Sequence, residues 1–407
     1  MSDLRRSLLC VTSELPWPLD TGGHLRTFHL LHALADAFRL RLVAPVPDGQ
    51  DHSIDALNRA GISVRPALVA SRTLAAEASR WAAAAVSAEP YVLYRRHDRP
   101  EVRATLRAEI ARERPDVLYL DHLDSFQFAP EARDVPIVID LHNVYSLLIR
   151  REATESTRSW FARRYLAREA RLLENIEAVA VRRADAVFSV SAQEQAHFAA
   201  VRGSRVDLVP NGVDCARYGA LPTGRSSSPA TVLFIGTMSW PPNAAAARFL
   251  ANEVLPALKR RVPQATLTIV GRSPGPDVQA LSAGGDVSVV ANAPDILPYL
   301  RDARLLAVPL EAGGGTRLKI LEAFAAGLPV VSTPIGCEGL AGANGQELLI
   351  ADRAGFADAV ASVLADAGRG EALAERARAL AHLQYDWSVI GQAARAAIER
   401  LTGYSSR

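Results

Sequence analysis

The chain has 407 residues, 49% of them hydrophobic and 22% charged, with a formal net charge of +2. This length and apolar content suit two well-buried domains of ordinary size, and the balanced charge argues against a nucleic-acid protein, whose binding face needs clustered, uncompensated Lys and Arg. Cys10, Cys215 and Cys337 stand far apart with no C-x-x-C spacing, which indicates neither a zinc site nor a disulfide framework and points to a reducing cytoplasm. The opening residues, MSDLRRSLLCVTSELPWP, interrupt their apolar run with Ser, Glu and Pro too soon for a signal-peptide core, and no stretch reaches membrane-span length.

Short apolar runs alternate with longer helical patterns, the signature of strand-helix units in a parallel sheet. The first half predicts strands at Ser7–Thr12, Leu40–Pro45, Val117–Leu120, Ile137–Leu141 and Ala186–Ser189. After the first strand, a loop ends in the pair Gly22-Gly23 before a helix expected from Leu25 onward. The pair suits a phosphate turn, although glycines in loops more often only satisfy unusual backbone angles. Ligands of open parallel sheets bind outside the carboxyl ends of the strands, so Asp121-His122 and Asp140, His142 and Asn143 are the residues to examine next. An ordinary hydrogen bond capping a strand end accounts for His142 equally well. Arg150 to Arg183 is an arginine-rich helical region with Trp160, Phe161 and Tyr165 close together. It fits an anionic membrane surface or, as charge pairing favours, a solvated helix balanced by Glu152, Glu155, Glu169, Glu174 and Glu177.

Gly219 to Pro229, GALPTGRSSSP, is poor in apolar residues and predicts a link between domains. Strands follow at Thr231–Gly236, Thr266–Val270, Val287–Val290, Leu305–Pro309 and Pro329–Ser332, making a second doubly wound sheet; two such sheets placed face to face enclose a cleft. The last helix, Trp387 to Leu401, puts Trp387, Ile390, Ala394, Ile398 and Leu401 on one face and must pack on something. Glu311 to Val331, EAGGGTRLKILEAFAAGLPVV, carries the most information. Gly313, Gly314 and Gly315 let backbone N–H groups face a ligand, and Thr316 is expected to begin a helix whose N-terminus favours negative charge. Arg317 and Lys319 add positive charge there, Lys319 being one of only two lysines in the chain. Glu322 falls nearly two turns along, where a carboxylate can accept hydrogen bonds from sugar hydroxyls a phosphate's length away. Phosphate at the turn and sugar along the helix suggest a nucleotide-sugar; the plainer reading is a glycine-rich connection with a solvated Arg/Lys pair.

Four pieces, in this order and spacing, carry a family resemblance: Thr21-Gly22-Gly23; ADAVFSVSAQEQAHF from Ala184; VPNGVDCARY from Val209; and VPLEAGGGTRLKILEAFAAGLPVVSTPIGCEGL from Val308. Across nearly its whole length the chain resembles a family 4 glycosyltransferase of the GT-B fold, an α/β architecture of two Rossmann-like doubly wound parallel-sheet domains facing a cleft. The resemblance implies an acceptor-side domain over 1–207, a nucleotide-sugar domain over 208–385, and a helix over 386–407 that crosses back to the first. It implies retaining transfer of a sugar from a nucleotide-diphosphate donor to a hydroxyl of a sugar, lipid-linked or small-molecule acceptor, in polysaccharide, glycolipid or natural-product glycan synthesis. It implies no metal or cofactor beyond the donor itself. The location implied is cytoplasmic, with peripheral contact at the inner membrane face where the acceptor is lipid-linked.

Each family role transfers residue by residue. Glu322 matches the second glutamate of the family's E-x7-E pattern, which binds the donor's ribose, whereas Gly314 occupies the place of the first and Glu311 lies three residues earlier. The segment Gly236 to Asn243 lacks the Arg and Lys that clamp the diphosphate in many relatives. Because an unpaired diphosphate in a partly dry cleft is costly, Arg317 and Lys319 are the expected replacements, with Arg272 a third candidate. Gly22, Gly23, Gly236, Gly313, Gly314, Gly315 and Thr316 complete the implied donor set. At the donor-acceptor junction the register leaves both Asp121 and His122 open, and His142 joins them as a catalytic candidate. Retaining chemistry in this fold lets the leaving phosphate take the acceptor proton, so no nucleophile is nominated. The two departures also suit a nucleotide-sugar-binding protein of the same fold that has lost catalysis.

Overall fold

A run such as Leu8-Leu9-Cys10-Val11, buried at every position, cannot belong to a sheet with one wet face and requires cover on both sides. In the computed structural model, which describes residues 5–87, 89–155, 159–219, 221, 230–313 and 317–403, such runs form two all-parallel sheets. The first contains β1 (Ser7–Val11), β2 (Arg39–Val46), β3 (Ser63–Leu68), β4 (Val117–Asp121), β5 (Ile137–Leu141), β6 (Ala186–Ser189) and β7 (Asp207–Leu208), in the order β3-β2-β1-β4-β5-β6-β7. The second contains β8 (Thr231–Thr237), β9 (Thr266–Arg272), β10 (Val287–Ala291), β11 (Leu305–Val308), β12 (Val330–Ser332) and β13 (Leu349–Ile350), in the order β10-β9-β8-β11-β12-β13.

In the first sheet Leu8 pairs with both Leu40 and Val117, and in the second Val232 pairs with both Leu267 and Leu305. The winding therefore reverses at β1/β4 and at β8/β11. A crevice opens outside the carboxyl ends of the strands at such a reversal.

The chain forms two compact units, one of Met1–Pro210 with Ile390–Arg407 and one of Asn211–Val389. Ile390, Ala394 and Ile398 of the last helix, Trp387–Thr402, are buried. Its Gly391 lies so close to the helix Gly22–Ala35 that an added Cβ would sit 2.4 Å from the Ala33 Cβ, so only glycine allows this approach. The three cysteines are free and buried. Most of the expected link, 220 and 222–229, lies outside the described residues.

Three expectations are corrected. The glycine pair Gly22-Gly23 is the first turn of its helix, not the loop before it, because the Thr21 side chain caps the His24 N–H. The helix after β11 spans Leu318–Ala325, so Arg317 precedes it and Glu322 lies a little over one turn in. The helices Tyr145–Glu155 and Trp160–Arg183 pack on each other, and Glu169 and Glu177 are buried there, not solvated counter-charges. Glu169 accepts the backbone N–H groups of Tyr91 and Val92, and Glu177 accepts that of Ser146. Among the described residues no helix is long and apolar enough to cross a membrane.

Candidate functional site

In the first unit the ends of β4 and β5 and the helix after β1 bring four charged side chains together, Asp121, Asp140, His142 and Arg26. His142 Nε2 lies 3.1 Å from Asp121 Oδ1 and 3.4 Å from Asp140 Oδ2. Arg26, from the helix after β1, grips Asp140 from the other side with Nε and Nη2 at 3.0 and 2.6 Å, and the Tyr119 hydroxyl donates to the same carboxylate. Thr27 donates to Asp121 at 2.8 Å. All four groups are nearly or wholly inaccessible to water, and two carboxylates facing two cations is the arrangement in which buried charge is tolerated. Burial alone would lower the His142 pKa, but Asp121 and Asp140 outweigh it and raise it to about 9. Burial would likewise raise Asp140, yet Arg26 and His142 hold it well below the carboxylate range.

His122 differs from this buried layer. Its backbone stands at φ 67° and ψ 159°, a region that glycine populates and that costs other residues on the order of 1–3 kcal/mol. Its N–H donates to the Asp140 carbonyl, its Nδ1 lies 2.7 Å from the Tyr145 hydroxyl, and its ring centroid is 3.5 Å from that of His142. Burial and the neighbouring His142 charge push its pKa down to about 3, so the ring is neutral. Asp121 and His122 line a cavity of about 240 Å³ in this unit, with Gly23 of the helix start on its wall.

Asp121, His122 and His142 also bring donor atoms within 4.8 Å of one another, as do Cys215, His382 and Asp386 in the second unit. In the first cluster a protonated His142 already supplies the cation that the carboxylates need. In the second, Asp386 accepts the Ser388 N–H at the start of the last helix.

The second unit gathers its polar groups at the ends of β8 and β11. Lys319 Nζ donates to Asn243 Oδ1 at 3.0 Å and stands 4.8 Å from the Phe234 ring centroid. Asn243 in turn occupies the space beside Gly236, where an added Cβ would come within 2.7 Å of its side chain. Burial and the charge of Arg317 lower the Lys319 pKa to about 7. Arg317 is buried, donates to the Ile335 carbonyl and lies over the Trp240 ring. That ring closes against Gly313, whose φ of 111° favours glycine and whose added Cβ would meet the indole at 2.3 Å. Glu322 accepts the Tyr218 hydroxyl at 3.0 Å, and burial raises its pKa. Gly314, Gly315 and Thr316 lie outside the described residues. Arg272 closes β9 with its side chain exposed and its carbonyl accepting the Met238 N–H. Glu311 is also exposed and pairs with Arg353 at 2.9 Å.

Thus Asp121, His122, His142 and Gly23 assemble in one unit, and Gly236, Gly313, Arg317, Lys319 and Glu322 assemble in the other. Sequence reading missed Arg26, Tyr145, Asn243 and Tyr218 as partners. None stands in a spacing that marks it, although the polar Arg26 and Thr27 inside an otherwise apolar helix face were a usable signal for a buried pair.

Two doubly wound sheets, each with charged groups collected where its winding reverses, define a paired Rossmann-like α/β protein. Residues 22–217 match the family model described as Glycosyltransferase Family 4, and residues 229–366 match Glycosyl transferases group 1. The chain belongs to these family 4 glycosyltransferases of the GT-B fold. Over 275 residues, 64% of this chain, it is 29% identical to a glycogen synthase of Mycobacterium tuberculosis, and the match spans only 62% of that relative's length. The fold is similar to that of a sucrose-phosphate synthase from Thermosynechococcus elongatus, with a TM-score of 0.71 and 17% identity over 98% of this chain and all of the other. It is also similar to Anabaena HepE, solved in complex with UDP-glucose, with a TM-score of 0.65 and 17% identity over 98% of this chain and all of that one.

Proposed function

We propose that the protein transfers a sugar, with retention of configuration, from a nucleotide-diphosphate donor to an acceptor hydroxyl. The observation that carries this reading is the junction of Gly313, Arg317 and Lys319 at the end of β11, with Glu322 just over one turn into the following helix. In this reading Arg317 and Lys319 neutralise the diphosphate, which the segment Gly236–Asn243 cannot do, and Asn243 holds the Lys319 ammonium in place. A lysine with a pKa near 7 becomes fully charged when a diphosphate approaches. Glu322, oriented by Tyr218, accepts the ribose hydroxyls.

In the first unit His122 is the group that meets the reacting sugar or acceptor. It is neutral, lines the cavity and is held in a strained backbone conformation, and strain of this kind concentrates at working sites. Asp121, His142, Asp140 and Arg26 act behind it as positioning residues. The leaving phosphate takes the acceptor proton, and neither a metal nor a further cofactor takes part. UDP-glucose is the first donor to test, since HepE was solved with it. Proton NMR of the reaction with a panel of nucleotide-sugars is expected to show nucleoside diphosphate release and a product anomer matching the donor. An inverted product contradicts retention, and donor binding without release of any kind identifies a binding protein that has lost catalysis.

The exposed pair Trp160 and Phe161, with Arg164 stacked on Trp160, favours a peripheral membrane contact that would serve a lipid-linked acceptor. Aromatic rings beside arginines suit the interface of an anionic bilayer.

A further inference from the structure

We infer that the cavity beside His122 receives an unphosphorylated polyol ring, a sugar or cyclitol, and that Asp124 is the residue that binds its hydroxyls. The inference rests on the glycosyltransferase reading above and deepens it by naming the acceptor's chemistry.

Three carboxylates, Glu14, Asp121 and Asp124, line this cavity, and no Arg or Lys does so among the described residues. The first two carboxylates are already engaged. Glu14 pairs with His24 at 3.5 Å, which lowers the Glu14 pKa and raises that of His24; Asp121 holds Thr27 and His142. Asp124 keeps one oxygen open. It is 8% exposed; Ser13 hydrogen-bonds its carboxyl and its Oδ2 lies 3.5 Å from the Nδ1 of His97, but its Oδ1 has no hydrogen-bond partner among the described residues. That histidine offers little charge, because burial lowers its pKa.

A buried carboxyl oxygen with no donor is costly, and on a cavity wall an entering ligand can relieve that cost. The ligand's chemistry follows from the wall. A phosphate would meet no arginine or lysine on this wall among the described residues, and the charged histidines at and behind it are already matched, His24 to Glu14 and His142 to Asp121. The helix that starts at Gly22 offers only about half a positive charge. Burial raises the Asp124 pKa to about 7, so near neutrality its carboxyl can accept from a hydroxyl or donate to one. The space, about 240 Å³, equals that of roughly eight water molecules, the scale of one ring with its hydroxyls.

The test is ligand-observed saturation-transfer NMR on the full chain with UDP present. The probes are myo-inositol and methyl glucoside against myo-inositol 1-phosphate and glucose 6-phosphate, each with wild type, Asp124→Asn and Asp124→Leu. The neutral probes are expected to bind wild type at least tenfold more tightly than their phosphates, to lose about tenfold with Asp124→Asn, and to give no signal with Asp124→Leu. UDP binding by calorimetry should be equal in all three proteins, which shows that the variants fold. Phosphorylated probes that bind as well as or better than the neutral ones, neutral probes indifferent to Asp124, or neutral probes that do not bind wild type would each overturn the inference. Failure of UDP to bind wild type counts against the donor reading alone, because the polyol arm is read separately.

Discussion

Among single residues, Lys319, Glu322 and His142 sit where burial and neighbouring charges govern their protonation. Lys319 has a pKa near 7 in the free protein, and a bound diphosphate favours its charged form. UDP binding at pH 8 is therefore expected to take up close to one proton, measured by calorimetry in buffers of different ionisation enthalpy. Uptake near zero would show that the diphosphate does not reach Lys319. Glu322 contacts the donor in both ground and transition states on this account, so Glu322→Gln should raise the donor KM more than it lowers kcat; equal falls in kcat and kcat/KM would assign it to the transition state instead.

His142 gives a prediction with a defined sign. Its folded pKa of about 9 lies above the unfolded value of about 6.5, so the stability it contributes is fully present below pH 6.5 and fades as pH rises through 9. Two and a half units correspond to on the order of 3 kcal/mol. The difference in unfolding free energy between wild type and His142→Gln, from denaturant melts, should shrink by about that amount between pH 6 and pH 9.5. A constant difference would mean that Asp121 and Asp140 do not hold His142 protonated.

Among the elements, the helix Trp160–Arg183 does two jobs. Glu169, Ala170, Leu173, Glu177 and Ala180 are buried, while Trp160 and Phe161 stay exposed at the opposite end of its sequence. Replacing both aromatics by alanine should leave the melting temperature within a few degrees of wild type, since exposed side chains contribute little to stability, yet should abolish co-sedimentation with vesicles of anionic lipid. Equal sedimentation of wild type and variant would remove the membrane role. This helix also shows where sequence reading fails: a glutamate in an arginine-rich helix looks like a surface counter-charge, and only tertiary structure places Tyr91 and Ser146 N–H groups beside Glu169 and Glu177. The strands were more legible. Ile137–Leu141 and Ala186–Ser189 are short, fully buried and mostly apolar runs and fall where periodicity puts them, whereas Ser63–Leu68 is half-exposed, carries Arg65 and Pro66, and offers no such run. Helix starts were misplaced by a few residues at Gly22 and Leu318, because glycine suggests a loop when it sits in a first turn, and Thr316 resembles a cap.

For the whole molecule, the two doubly wound sheets were readable from the alternation of apolar runs and helices, and so were the residues at the strand ends; the strand order, and with it the reversal points, came only with the structure. The partners of the strand-end residues were not readable either. Arg26 reaches Asp140 across 114 positions and Tyr218 reaches Glu322 across 104, distances over which a single sequence has no pattern to offer. In the proposed function the Arg317–Lys319 junction holds a nucleotide-sugar whose sugar is then released or transferred. Release of nucleoside diphosphate from radiolabelled UDP-glucose and other nucleotide-sugars, compared between wild type and the double variant Arg317→Ala, Lys319→Ala, tests it most directly. The expected result is turnover of at least one donor by wild type and a loss of at least a hundredfold in kcat/KM in the variant, from two charged contacts of about 1.5–3 kcal/mol each. Turnover that survives the double substitution unchanged, or no binding of any nucleotide-sugar by wild type, would contradict it.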